Sequence, residues 1–204
     1  MHPLIGVAIA YLAGSIPFAF LAGKAKGVDL REHGSGNLGA TNAIRVLGPR
    51  IGGLVYLGDT LKGMLPALLL PTTISASRPD LWAIGFGVAA ILGHVKPVFL
   101  MGQGGGKGVA TAGGVFFGLA WIPALIALGA FLIVVATTRM VSAGSLSAAL
   151  VLPIAILIVK GPHALFFISA AVSVLVVWMH RANISRIASG TEPRIGSSKE
   201  KQAA

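Results

Sequence analysis

Apolar runs too long to be shielded by the polar remainder of the chain recur along this sequence, at roughly 3–23, 51–76, 80–100, 109–121, 122–138, 143–159 and 162–180. Crossing the hydrocarbon core of a bilayer takes about 20 residues of helix, and most of these runs have that length. Only six acidic residues are available among 204, too few to help build the charged rind of a soluble domain. The expected fold is therefore an all-α integral membrane protein with seven transmembrane helices. The fourth and fifth runs are short for two crossings. A turn is expected at Trp121-Ile122-Pro123, because proline restricts the residue before it and has no N–H to donate.

Basic residues set the orientation. With seven spans and the C-terminus inside, thirteen of the sixteen Lys and Arg residues fall on the inner side, and only Arg78 and Lys160 fall in outer turns. Six spans would move the five charges of the C-terminal segment outside, so the positive-inside rule selects seven, with the N-terminus outside and the C-terminus cytoplasmic. The net charge of +10 follows from this bias and does not imply a nucleic-acid partner; it does favour anionic partners such as lipid head groups or a phosphorylated substrate. The absence of cysteine removes disulfides, thiolate metal sites and a cysteine nucleophile. The first run lacks both a basic start and a small-residue cleavage site, so it is read as a retained helix. One helical domain over 1–194 and a disordered cytoplasmic tail over 195–204 are expected.

This topology places three unusual segments on one side: DLREHGSGNLGATNAIR, GQGGGKGVATAGG and HRANISRIASGTEPR. The first contains Gly34, Gly36 and Gly39 in the G-x-G-x-x-G spacing of dinucleotide sites, but a transmembrane helix and a charged linker precede it where such a site needs a strand. Glycines still let successive backbone N–H groups turn toward one anion, and Ser35, Asn37, Thr41 and Asn42 add donors. Loop capping is the commoner use of Thr and Asn; the flanking Arg31 and Arg45 favour an anion pocket. In the second segment Lys107 sits between Gly106 and Gly108, but Met101 and Gly108 stand where a Walker A motif needs Gly and Ser or Thr. An ATPase is thereby excluded, and Lys107 remains a point charge suited to phosphate, or by itself a topology-setting lysine. In the third, His180 and Asn183 share one face of a helix end, an arrangement suited to hydroxyl recognition or to interfacial anchoring.

Inside the second run, Asp59 and Lys62 are three residues apart and able to neutralise one another. His94 and Ser142 lie near inner ends of their runs. No HExxH pattern or other His-carboxylate cluster offers a metal site, no H-x-x-x-x-D pair follows any of the five histidines, and Ser35 has no evident His-Asp support. The inner face holds cations, glycines, hydroxyls and amides.

Taken together, GSIPFAFLAGKAKGVDLREHGSGNLGATN, DTLKG, GHVKPVFLMGQGGGKGVAT and HRANISRIASGTEPR closely resemble the bacterial acyl-phosphate glycerol-3-phosphate acyltransferases, the PlsY family. The match extends from Gly14 to Arg194; Met101-Gly102-Gln103-Gly104 departs from the family, which often has Lys and aromatic residues there. The resemblance implies a seven-helix enzyme of the bacterial inner membrane that moves a fatty acyl group from acyl phosphate to the 1-hydroxyl of sn-glycerol 3-phosphate. The products would be lysophosphatidic acid and phosphate, the first step of phospholipid synthesis. It further implies that Ser35, Arg45 and Lys107 bind phosphate with the backbone of the Gly34–Gly39 loop, that His180 and Asn183 hold glycerol hydroxyls, and that a donor phosphate oxygen takes the hydroxyl proton. Gly106 and Gly108 are expected at the substrate as well, with no metal or cofactor, membrane lipids as neighbours and a monomer as the working unit. The competing expectation is a transporter of a phosphorylated solute, which would need an outer access path that the short turns SASRPD and KGPHA do not supply.

Overall fold

A computed structural model describes residues 1–196, and every regular element in them is helical. The expected tail lies, from residue 197 onward, outside the described residues. The chain divides into two compact units, one comprising Met1–Leu119 and the other beginning at Ala120.

The first unit opens with a span that hydropathy reads as continuous but that is two helices, α1 (Pro3–Ser15) and α2 (Phe18–Ala25). Pro17 has no N–H to continue the ladder, and the Phe18 N–H turns back onto the Ile16 carbonyl at 3.2 Å. The short amphipathic α3 (Ala40–Leu47) follows a long loop, and α4 (Pro49–Leu69) continues into a 3-10 turn at Leu70–Thr73. Next come α5 (Pro79–Val95), a 3-10 turn at Val98–Leu100, and α6 (Val109–Leu119).

Small residues let these helices pack backbone to backbone. A Cβ on Gly14 would overlap the Ala90 backbone and one on Gly93 the Tyr11 carbonyl, which fixes α1 against α5. Gly63 and Gly114 do the same for α4 and α6, against the carbonyls of Thr111 and Thr60. Gly6 faces the Phe86 ring while Gly14 faces Ala90, so contacts advance in the same order along both helices and α1 runs parallel to α5. Their C-terminal ends are tied together: the Tyr11 hydroxyl donates to the Lys96 carbonyl at 2.7 Å, and the Ser15 hydroxyl oxygen accepts the Val98 N–H at 3.3 Å.

In the second unit α7 (Trp121–Thr138) and α8 (Val141–Lys160) form a tight pair, joined where Arg139 takes a left-handed φ of 62°. The expected turn at Trp121-Ile122-Pro123 falls one residue earlier, at Ala120. Pro123 occupies the first turn of α7, where a missing N–H leaves no bond unmade. α9 (Ala164–Met179) is held to α8 by the Ser173 hydroxyl, which donates to the Ala149 carbonyl. At His180 the chain bends by 60° into α10 (Arg181–Ala188). The segment after α10 returns to the α7–α8 turn, where Ile195 N–H meets the Arg139 carbonyl at 2.8 Å.

Among the described residues, five helical stretches are long and apolar enough to cross a bilayer, or six if the bent α9–α10 pair is one span. All seven expected apolar runs are helical. The fourth is the shortest: the 11 residues of α6 make about 16 Å of helix, roughly half the hydrocarbon thickness. Leu4, Leu54, Ile133, Ile158 and Val174 are among the large apolar side chains left outward, as lipid contact requires.

The glycine seams make a direct prediction. Gly93→Leu should abolish a monodisperse, thermally stable protein in detergent, whereas Gly129→Leu, at a position with open space around it, should leave the melting temperature within about 2 °C. Size-exclusion thermal-shift measurements on the two variants check it.

Candidate active site

The loop between α2 and α3 is pinned from beneath. Leu30 and Leu38, both essentially unexposed, insert into an apolar cluster with Ala19, Ala43 and Val55. The single large residue of GSGNLGATN thus serves as a plug. Above it the chain turns at Gly34, whose φ of +62° suits glycine and whose missing Cβ makes room for the Asn42 side chain.

Asn42 was expected to offer donors to a substrate, and the structure gives it another job. Its side-chain oxygen accepts the Ser35 N–H at 2.8 Å, and its amide nitrogen donates to the carbonyls of Leu30 and His33 at 3.1 and 3.0 Å. Both N–H groups are spent and the residue is buried, so Asn42 braces the loop. Ser35 and Thr41 are exposed, and Arg45 lies half-buried one turn after Thr41 on α3. Gly36, Asn37 and Gly39 complete the rim, partly exposed.

Arg31, the other expected flank of the pocket, is already committed. Its guanidinium grips Asp29 at 2.6 to 3.1 Å and lies 5.3 Å from the Phe20 ring centroid. The Arg31 side-chain bonds, with help from its backbone N–H, pull the Asp29 carboxyl down to about 2.

The second glycine loop folds back on the end of α5. A Cβ on Gly105 would overlap the Val95 carbonyl, and one on Gly106 would strike His94 Nε2 and crowd the Leu38 carbonyl at 3.0 Å. Gly104 lies beside the Leu38 and Arg31 side chains. The two loops that sequence spacing separates by some 70 residues therefore meet, with Gly106, Lys107 and Gly108 leading straight into α6. The second loop follows the end of α5 that is tied to α1, and the first is delivered by α2 just beyond the same end of α1.

Beneath this meeting point lies a cavity of about 10 Å³, space for one water, lined by Ser15, Leu38, Asp59, Lys62, His94 and the glycine loop. Asp59 and Lys62 are paired at 2.6 Å, as their spacing predicted, and both are nearly fully buried. Lys62 Nζ also donates to the Ile16 carbonyl at 2.8 Å, at the α1–α2 break, and lies 5.6 Å from the Phe18 ring centroid. His94 Nδ1 stands 3.5 Å from the same Asp59 oxygen.

In the second unit His180 and Asn183 are both buried. His180 Nδ1 lies 2.7 Å from the Val176 carbonyl, which requires an N–H there. Asn183 donates to Glu192, a residue that sequence reading passed over. One Glu192 oxygen accepts from Asn183 at 2.7 Å and from Ser142 at 2.6 Å, and the other accepts from Arg186 at 2.7 Å. Burial alone would raise the Glu192 carboxyl, but these three donors outweigh it and hold the carboxyl below the usual glutamate range. Ser142, left without a role by sequence, is a support for that carboxylate. Among the described residues no group of three or more His, Cys, Asp or Glu side chains could hold a metal.

Because its carboxyl is depressed, Glu192 adds stability that is complete above the ordinary glutamate value and fades as pH falls below it. Glu192→Ala strands three donors and should cost about 2–4 kcal/mol, with Glu192→Gln intermediate. Melting curves between pH 4 and pH 7 check both, since the wild-type advantage over Glu192→Gln should shrink toward the acid end.

A family model described as glycerol-3-phosphate acyltransferase matches residues 4–190. Glycerol-3-phosphate acyltransferase of Geobacter sulfurreducens is 45% identical over 194 residues, covering 95% of this chain and 98% of that one. The protein of the same name from Synechococcus sp. (strain CC9902) is 45% identical over 197 residues, 96% of each chain. Crystal structures of PlsY (YgiH), an integral membrane glycerol 3-phosphate acyltransferase, are similar along nearly their whole length. The glycerol 3-phosphate form has a TM-score of 0.89 at 38% identity, covering 97% of both chains. The lysophosphatidic acid form has a TM-score of 0.86 at 37% identity, covering 98% of both.

Proposed function

The chain belongs to the glycerol-3-phosphate acyltransferase family, and on that premise we propose that it transfers a fatty acyl group from acyl phosphate to the 1-hydroxyl of sn-glycerol 3-phosphate. The products are lysophosphatidic acid and inorganic phosphate. The observation that carries this reading is the meeting of the two glycine loops, which brings Gly106, next to Lys107, against the Leu38 carbonyl of the first loop. The identity to named acyltransferases and the solved forms with glycerol 3-phosphate and lysophosphatidic acid support the acceptor and the product.

An acyl phosphate is a mixed anhydride, so its phosphate departs readily once its negative charge is neutralised. Arg45 and Lys107 supply that neutralisation, with the Ser35 hydroxyl and the Gly106–Gly108 backbone donating hydrogen bonds, while the Ser35, Gly36 and Gly39 N–H groups shape the first loop from within. The acceptor hydroxyl attacks the acyl carbon, its proton passes to an oxygen of the leaving phosphate, and no separate protein base is needed. His180 and Asn183 recognise glycerol hydroxyls, with the His180 ring held in place by its Nδ1 contact to the Val176 carbonyl. Asn42 supports this machinery by shaping the loop and not by touching substrate.

In this reading the protein is monomeric and lies in the bacterial inner membrane with seven spans, N-terminus out and the site toward the cytoplasm. The distribution of basic residues supports that orientation, and the parallel α1–α5 pair is what a first and third span must form in either orientation. The acyl tail stays among the helices and lipid, and the polar substrate arrives from water.

Purified protein should release phosphate from palmitoyl phosphate only with glycerol 3-phosphate present, and labelled glycerol 3-phosphate should appear as lysophosphatidic acid. Lys107→Ala and Arg45→Ala should each lower turnover at least ~100-fold with an unchanged melting temperature. Near-normal turnover would remove the electrostatic mechanism, and equal use of palmitoyl-CoA would remove acyl phosphate as the dedicated donor.

A further inference from the structure

Three buried ionisable side chains lie behind the second glycine loop and have no part in the chemistry above. Asp59 and Lys62 come from α4 and His94 from the last turn of α5. Each is at most 6% exposed. They form a connected chain: the Ile16 carbonyl to Lys62 Nζ at 2.8 Å, Lys62 Nζ to Asp59 Oδ1 at 2.6 Å, and Asp59 Oδ1 to His94 Nδ1 at 3.5 Å. At the far end, His94 Nε2 and Cε1 are pressed against Gly106, where even a methyl group would collide with the ring. Gly106 immediately precedes Lys107.

From this geometry we propose that Lys62, Asp59 and His94 are positioning residues: the ion pair fixes the His94 ring, and the ring is the backstop that sets where Gly106 and Lys107 stand. The proposal rests on the reading of Lys107 as a phosphate ligand. Mere neutralisation of a lysine in a helix would need one carboxylate and nothing more. Here the carboxylate is shared with an imidazole from a different helix, and the imidazole ends on the loop that carries the reacting cation. The loop is otherwise glycine from 104 to 106 and has no side chain of its own to hold its place. An error of about 1 Å in a positioned group costs on the order of 100-fold in rate, so such a backstop has kinetic consequences. The signature expected is a fall in kcat with little change in KM for glycerol 3-phosphate, because the positioned cation acts on the departing phosphate of the donor.

The test is steady-state kinetics on the purified full chain with palmitoyl phosphate and glycerol 3-phosphate, alongside melting temperatures. His94→Ala should lower kcat at least ~10-fold while KM for glycerol 3-phosphate moves less than ~3-fold. His94→Gln, which restores an amide near the ring's outer edge, should recover most of that loss. Gly106→Ala should be severely impaired alone, and combined with His94→Ala should lose clearly less than the product of the two single losses, since removing the ring relieves the methyl's hardest collisions and leaves only the 3.0 Å approach to the Leu38 carbonyl. Replacement of the ion pair by the neutral pair Asp59→Asn with Lys62→Met should reproduce the His94→Ala kinetics. Wild-type kcat in His94→Ala overturns the proposal. So does additive loss in the Gly106 double variant, a measurement that holds even if one single variant is poorly stable. Should wild-type protein itself fail to transfer the acyl group, the acyltransferase reading falls instead; a dead Lys107→Ala beside a fully active His94→Ala would sink only the backstop.

Discussion

The ammonium group of Lys62 is the point from which the first unit is organised. Within a membrane span an unpaired charge or carbonyl costs several kcal/mol, so a buried cation is kept only where it meets enough partners. Lys62 meets the Asp59 carboxylate, the Ile16 carbonyl exposed by the interruption between α1 and α2, and the edge of an aromatic environment at Phe18. One side chain thereby makes the break before Pro17 tolerable in a region that would otherwise demand unbroken helix. The break in turn lets α2 leave the line of α1 and deliver the glycine loop.

The two loops illustrate how a site for a charged ligand can be built with little charge of its own. Asn42 uses its entire amide on backbone groups of the first loop, and Leu38 anchors that loop in apolar packing. Arg31 is neutralised by Asp29, which leaves the rim neither crowded by cations nor repelling itself. In the second unit, the Glu192 carboxylate similarly gathers Ser142, Asn183 and Arg186. Geometry is thus fixed by short-range bonds and packing at Asn42, Leu38 and Glu192.

Hydropathy made the helices legible, because burying apolar side chains in lipid depends only on length and composition. It missed the break at Ile16-Pro17 because Ile, Pro and Phe are all apolar and the window average never falls. The i, i+3 spacing of Asp59 and Lys62 disclosed their pairing, but His94 joins them from another helix, which no local spacing reveals. The Asp-Leu-Arg sequence at 29–31 held the signal that Arg31 was spoken for, two residues being within reach of a guanidinium. Glu192 escaped because its partners lie up to 50 residues away and its surroundings read as an interfacial tail.

The parallel course of α1 and α5 also sorts the electric field of the first unit. Both helices end at the inner cavity, so two carbonyl-terminated, partially negative ends lie there, where the Lys62 ammonium donates to the Ile16 carbonyl, the Tyr11 hydroxyl to the Lys96 carbonyl and the Ser15 hydroxyl to the Tyr11 carbonyl. The helices that follow the glycine loops, α3 after Gly39 and α6 after Gly108, begin where the loops end, so their partially positive ends lie at the loops. Helix direction alone thus sets partial charges of fixed sign at the loops, and no titration can remove them.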